Sequence, residues 1–146
     1  MKNGHKRNLI VLLLATVLCF VFLFSCDVLD DNDSNAFKVY DIIPANGAPA
    51  AGEPAISQSV TISITFSNDV DKTTATNATI LLTDDKGKSV AGTVSSYGIA
   101  VSFTPTAKLD KLTTYTVTIK TQLKDTHGRS LSSDYTSSFT TGDDSA

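Results

Sequence analysis

The chain has 146 residues, with 12 Lys and Arg against 15 Asp and Glu, 41% apolar residues, two Cys and no Trp. That length holds one ordinary domain plus a processing segment, and the composition excludes a disordered or supercharged chain. A net charge of −3 leaves no basic footprint for nucleic acid, so no nucleic-acid partner is expected.

Lys2, Lys6 and Arg7 lead into an apolar run from Leu9 to Phe24 that only Thr16 interrupts. A basic start, an apolar stretch and a small residue before a break form a secretory signal. The run ends Leu23-Phe24-Ser25-Cys26, followed at once by Asp27. These residues resemble the bacterial lipobox, in which the Cys thiol receives a diacylglyceryl group and cleavage leaves Cys as the first residue. The lipobox usually has a small or branched residue where Phe24 stands. The resemblance implies a signal peptide over 1–25, lipidation at Cys26 and a lipid anchor in a bacterial membrane. Two other readings stay open: an uncleaved anchor near the lower length limit for a spanning helix, and a plain secretory signal, for which no A-x-A-like site is present. In all three, the basic start stays cytoplasmic and the rest of the chain is exported. Cys19 lies inside the apolar run and would leave with the signal, so the exported domain is expected to have no disulfide and no free thiol.

Residues 26–35 carry Asp27, Asp30, Asp31 and Asp33 and almost nothing to bury, which reads as a flexible acidic tether. Ten such residues reach at most about 35 Å. Asp31-Asn32-Asp33-Ser34-Asn35 imitates the start of an EF-hand loop, but Ala36 stands where Gly is required and Ile42 where a bidentate Glu belongs. No calcium is expected there. Without Lys2, Lys6 and Arg7 the exported part has nine basic residues against fifteen acidic ones, nearly all Asp.

From Phe37 onward the period is two. Val60, Ile62, Ile64 and Phe66 alternate with Thr61, Ser63 and Thr65; Ile99, Val101 and Phe103 alternate with Ala100 and Ser102; Tyr115, Val117 and Ile119 alternate with Thr116 and Thr118. Tyr135, Ser137 and Phe139 continue the pattern, and 37–43, 79–83 and 90–95 are further strand candidates. Alternation puts one face in a core and the other in water. Turn residues separate the runs at Pro44-Ala45-Asn46-Gly47, Asp84-Asp85-Lys86-Gly87, Gly98, Thr104-Pro105 and His127-Gly128. Of these, Asp84 to Gly87 is the strongest hairpin signal. About seven short antiparallel strands over 36–142 predict an all-β sandwich, with 143–146 as a disordered tail.

Six blocks recur in a familiar order: Ile43-Pro44-Ala45-Asn46-Gly47, Ile64 to Asp71, Val101 to Pro105, Leu112 to Val117, Leu123 to Leu131 and Phe139 to Gly142. In order and spacing they are similar to the bacterial Ig-like domain first named from the SbsA S-layer protein. That resemblance implies an Ig-like β-sandwich and an envelope or cell-surface habitat, and it brings no catalytic residue. Within it Phe66, Phe103 and Phe139 are expected to point inward, and Tyr115 to form a tyrosine corner. Asp125 and Gly128 bracket a tight loop in which the Asp side chain can accept backbone N–H bonds. The connection from Ala48 to Ala55 is longer and richer in Pro than the family's usual form.

Reactive chemistry is thin. His127 is the only His after processing, so a Ser-His-Asp triad would need it. Gly87-Lys88-Ser89 echoes a P-loop end, but Leu82 occupies the first Gly position. The pairs Asp69/Asp71, Asp84/Asp85 and Asp143/Asp144 read as turn formers, and a calcium site between loops would draw on Asp69, Asp71 or Asp125. Tyr40, Tyr97 and Tyr135 are the only aromatics left for a glycan platform. No catalytic residue, metal or cofactor is expected. The sequence thus describes a lipid-anchored envelope protein presenting one Ig-like domain as a structural or protein-interaction module. Two alternatives are an adhesin-like or glycan-binding surface lipoprotein and an accessory subunit of an envelope complex. An exposed aromatic cluster or a concave groove would mark ligand binding. A flat, uncharged Thr/Ser face beside an unprotected edge strand would mark assembly with protein.

Overall fold

The computed structural model describes residues 35–143. The expected signal peptide, Cys26, most of the expected acidic tether and residues 144–146 of the expected tail lie outside the described residues. Seven strands form: β1 (Val39–Ile43), β2 (Ile62–Phe66), β3 (Ile80–Asp84), β4 (Gly92–Tyr97), β5 (Ala100–Pro105), β6 (Thr114–Ile119) and β7 (Tyr135–Thr140). They pair antiparallel in two sheets, of order β1-β2-β5-β4 and β3-β6-β7. This is the strand order of an Ig constant-type sandwich.

The alternation read from sequence becomes the core. Ile62, Ile64 and Phe66 on β2, Val101 and Phe103 on β5, and Tyr115, Val117 and Ile119 on β6 are all buried, with Phe139 from β7. Phe37 stacks on Phe66 at 5.0 Å between ring centroids, and Tyr115 on Phe139 at 5.9 Å. Each buried aliphatic or aromatic side chain contributes about 1.5–3 kcal/mol, and the inward faces of both sheets supply them jointly. The residues between them line the outer faces with hydroxyls. In register these are Ser63 against Ser102, then Ser95 and Thr93 against Ser102 and Thr104, with Thr65 facing the methyl-bearing Ala100. The second sheet repeats this with Thr114, Thr116 and Thr118 against Thr140, Ser138 and Thr136.

Two elements depart from the sequence reading. Ile99 is not an inward strand residue: it is 44% exposed, in the two-residue turn Gly98-Ile99 that joins Tyr97 to its partner Ala100. Gly98 has φ +58°, as the first central position of a type II′ turn requires. Nor do the residues flanking Asp84–Gly87 form a hairpin of two paired strands, because β3 and β4 lie in different sheets. The turn itself forms, and its return leg makes one bridge, Ser89 to Thr83, before the chain crosses over.

Pro44 to Gly47 is a crossing rather than a reversal. β1 pairs with β2, and then the chain passes to the far edge of the other sheet. There Gly47, at φ +77°, donates its N–H to Ser138 O at 2.6 Å, and Asn46 Oδ1 accepts from Ser138 N–H at 2.9 Å. Ala48 O accepts from Thr140 N–H at 2.8 Å, and Ile56 O from Gly142 N–H at 2.8 Å. The outward amides at the end of β7 are thereby capped in turn. Ala48 and Ile56 are parallel bridge partners of Phe139 on β7 and of Thr141 just beyond its end, two positions apart. Ala48 and Ile56 are themselves eight positions apart, so residues 50–55 form a six-residue excursion from an otherwise continuous pairing.

Packing is tightest where Gly92 covers a ring. A Cβ at Gly92 would lie 2.3 Å from Phe103 Cζ and 2.8 Å from Thr104 O. Replacing Gly by Ala at a compatible backbone position ordinarily stabilises by about 0.4–1 kcal/mol. Here overpacking reverses the sign, and Gly92→Ala is expected to cost about 1–3 kcal/mol in urea unfolding. Adding Phe103→Leu should recover part of that loss; a more stable Gly92→Ala protein would refute this packing.

Candidate interaction surfaces and the buried Asp125 turn

The strand directions sort the connections onto two poles. The segment before β1, the β2–β3 connection, the Gly98-Ile99 turn and the β6–β7 connection share the N-terminal pole. The β1–β2, β3–β4 and β5–β6 connections and the chain end share the opposite one.

The N-terminal pole is knotted around Asp125. Its backbone N–H donates to Arg129 O and its carbonyl accepts from Gly128 N–H, both at 3.0 Å. Its Oδ1 accepts from the N–H groups of His127 and Arg129, each at 2.9 Å. Oδ2 takes the Arg129 Nε–H at 2.6 Å, and the same guanidinium reaches the carbonyl oxygens of Asn35. Neighbouring loops join it: Val70 N–H donates to Gly98 O, Thr126 N–H to Asp69 O and Asp71 N–H to Lys124 O, each at 2.9 Å. The Asp84 turn is built the same way, with Oδ1 accepting from Lys86 and Lys88 N–H and Gly87 at φ +77°. Both are Asp-x-x-Gly followed by a basic residue, so one local signal builds both turns. Only Asp125 is buried, at 1% exposure.

Tyr115 makes the expected corner: its hydroxyl accepts the Asp110 N–H at 2.9 Å. Burial pushes its pKa up. Leu112, just upstream, holds φ +51° and lies 69% exposed. Thr141, fully buried, donates to Asp110 O at 2.6 Å and so pins the end of β7 to the same connection.

Other sequence candidates are dispersed. Asp71 Oδ1 accepts from the Thr73 hydroxyl and backbone N–H, which hold its carboxyl below the usual range. Asp134, which the sequence pattern does not single out, is lowered by its hydrogen bond from Lys120 Nζ at 2.8 Å and by Thr121 N–H. Asp143 pairs with Lys111 at 3.3 Å. Among the described residues, no group of three His, Cys, Asp or Glu side chains is arranged to hold a metal. His127 is exposed, and its backbone N–H is spent on the Asp125 turn. Tyr40 and Tyr97 are 78% and 84% exposed, but they lie on β1 and β4, opposite edges of one sheet, roughly 14 Å apart by strand spacing. Tyr135 packs against the core instead of joining them. They form no common platform.

The opposite pole carries the concave surfaces. A cleft of about 460 Å³ is lined by Ile43, Pro44, Pro49, Pro54, Ile56 and Glu53, among others. Its wall is the excursion 50–55, whose base is fitted against Gly142: a Cβ there would lie 2.4 Å from Ala55 Cβ. A more polar notch of about 350 Å³ lies between Lys88, Lys108, Asp84, Asp110 and Tyr115.

With this geometry in place, comparison with known proteins decides the family. The bacterial Ig-like domain family matches residues 33–141. The chain belongs to that family. Among solved structures it is similar to the S-layer protein SbsC, residues 31–844, at 24% identity over 73% of this chain and 14% of that one, with a TM-score of 0.54. Domains 1–6 of SbsC match at 25% identity, with the same coverage and TM-score. The α2-macroglobulin of E. coli matches at 22% identity over 74% of this chain and 6% of its own, also with a TM-score of 0.54. This Ig-like domain thus spans a small fraction of the length of those proteins. No curated protein sequence matches the chain.

The Asp125 turn generates a pH prediction. Burial by itself would raise the Asp125 pKa, but the hydrogen bonds from Arg129 and His127 outweigh it and hold the carboxyl below its ordinary value. A depressed folded pKa stabilises above the unfolded value of about 3.9, and that stability is lost as pH falls through the folded one. Asp125→Ala leaves two backbone donors without their acceptor, at about 1–3 kcal/mol each. It should therefore destabilise by roughly 2–6 kcal/mol at pH 7. The gap to wild type, read by urea unfolding, should be constant above about pH 5 and shrink below about pH 4. A gap that widens on acidification would contradict the assignment.

Proposed function

We propose that this protein is an envelope lipoprotein, anchored through lipidated Cys26, whose Ig-like domain works by contact with another protein. The observation that carries the reading is how the polar groups are used. Asp71, Asp84, Asp125 and Asp143 are committed to turns and a surface pair, whereas the pole opposite Asn35 offers clefts built by backbone connections. Membership of an Ig-like family with S-layer neighbours supports an extracellular or envelope setting. The Leu23-Phe24-Ser25-Cys26 break supports the anchor. Two or three acyl chains give stable attachment where a single one is marginal.

On this reading the cleft behind the 50–55 excursion is the contact surface, since loops on a rigid scaffold carry recognition. Its prolines limit the entropy lost on ordering. The separation of Tyr40 and Tyr97 disfavours the glycan-binding alternative, and the chain's small share of its structural relatives is compatible with an accessory role in a larger envelope assembly.

One substitution and one deletion test the reading in intact cells. Cys26→Ser should release the protein from the membrane fraction or leave an unprocessed precursor, and a mature protein that starts elsewhere without lipid would refute the anchor. Deleting residues 50–55 joins Pro49 to Ile56 in the spacing that β7 already sets. The deletion should preserve folding and lower recovery of the in-cell crosslinked partner by tenfold or more. Unchanged recovery would exclude the cleft, and hydrolysis of an envelope polymer by the purified protein would overturn the contact function.

A further inference from the structure

An exposed strand edge is a row of unpaired N–H and C=O groups, which natural sheets cover, bulge or charge. The four edges here are treated unequally. β7 is capped by Asn46, Ala48 and Ile56. β3 is capped by its own return leg, where Val90 N–H donates to Leu82 O and Asp84 N–H to Lys88 O, within a charged turn. β1 carries a bulge between Val39 and Asp41 and the Asp41 charge. β4 has none of these. It is six residues of Gly, Thr, Val, Ser and Tyr, uncharged, free of Pro and in unbroken register with β5.

Backbone phase fixes which groups of β4 face away from β5. Tyr97 and Ala100 flank a two-residue turn, and Thr106 N–H donates to Ala91 O. Residues 91, 93, 95 and 97 therefore bond to β5, and Gly92, Val94 and Ser96 point outward, because antiparallel ladders alternate. Gly92 O already accepts Asn77 Nδ2 at 3.0 Å. Among the described residues, nothing meets the outward groups of Val94 and Ser96.

We propose that β4 pairs antiparallel with β4 of a second copy of this chain, about a twofold axis at Ser95, joining two four-stranded sheets into one of eight. The register follows from the free groups. An axis at Val94 would need Gly92, whose carbonyl Asn77 occupies. An axis at Ser96 would need Gly98, whose carbonyl accepts from Val70 N–H. The axis at Ser95 pairs Val94 of each copy with Ser96 of the other, using the free outward groups of both residues and forming four hydrogen bonds. A strand that meets itself antiparallel sets each charge near its own image, and β4 has no charge to repel. The same register lays the highly exposed Tyr97 beside Thr93 of the second copy, within the reach of a cross-strand pair. It also continues the row of hydroxyls across the joined sheet. This inference concerns the domain alone and stands apart from the anchor and the cleft.

The axis brings Ser95 opposite itself as a non-hydrogen-bonded pair with Cα atoms about 4.5 Å apart, inside the disulfide range of about 4.4–6.8 Å. The full chain, purified in detergent and mildly oxidised, is compared by non-reducing electrophoresis as wild type, Ser95→Cys and Thr93→Cys. Ser95→Cys should give a disulfide dimer at least tenfold above the other two, and mixing Thr93→Cys with Tyr97→Cys should restore a crosslink. Ser96→Pro removes one outward N–H and no bond to β5, at an edge position where Pro is tolerated. Added to Ser95→Cys, it should abolish the dimer and leave the melting transition in place. Equal dimer yields at the tested positions, no Ser95→Cys dimer above wild type, a dimer that survives Ser96→Pro, or crosslinking only to a protein of another mass would each overturn self-pairing.

Discussion

Closing the edge of β7 is the constraint on which the rest of this sandwich depends. A three-stranded sheet that ended there in open amides would be a docking site for any extended chain. The protein closes it with the segment that follows its first strand. Crossing at Pro44–Gly47 lets a single stretch of chain belong to both sheets: Ile42 and Ile43 pair with β2, while Asn46 and Ala48 cap β7. That crossing ties the two layers together and leaves the 50–55 excursion between two fixed points. The excursion in turn walls the larger apolar cleft. A feature that in sequence looks like a tolerated insertion is therefore rooted in a structural seal, and only its middle is free to serve another purpose.

The poles divide the remaining work. At the N-terminal pole, Asp125 is buried with its carboxylate shared between backbone donors and Arg129, and Arg129 holds Asn35, where the described chain begins. Buried ion pairs are not stabilising merely by being pairs. This one gains from the turn it organises, since the same carboxylate satisfies two amides that would otherwise lack acceptors. Exposed pairs such as Lys120–Asp134 contribute little by comparison. At the opposite pole Tyr115 and Thr141 fix the connections, and the space between those connections forms the clefts. Rigid seams at both poles around an aliphatic and aromatic core give a platform whose variable parts are loops and one open strand edge.

Much of the fold is legible in the sequence because the signals are local. Alternation at Ile62–Phe66 and Tyr115–Ile119 marks the inward residues directly. Asp125 and Gly128 announce their turn, and Tyr115 announces its corner. What the sequence conceals is pairing between distant segments. The Asp84 and Asp125 turns have the same local pattern, yet one precedes a crossing between sheets, and nothing within five residues distinguishes them. Ile99 reads as the start of an alternating strand, but Gly98 before it spends that residue on a turn. The role of Ala48 and Ile56 depends on β7, more than eighty residues away, and the bareness of β4 is visible only once the other three edges are seen to be covered.

Residue-resolved amide hydrogen exchange on the full chain tests this account of the edges most directly. The amides of Gly47, Ser138, Thr140 and Gly142 should be protected at every protein concentration, because their acceptors lie within the chain. Those of Val94 and Ser96 should exchange rapidly when dilute and slow as concentration rises. Rapid exchange at Thr140 and Gly142, or protection at Val94 and Ser96 that ignores concentration, would contradict it.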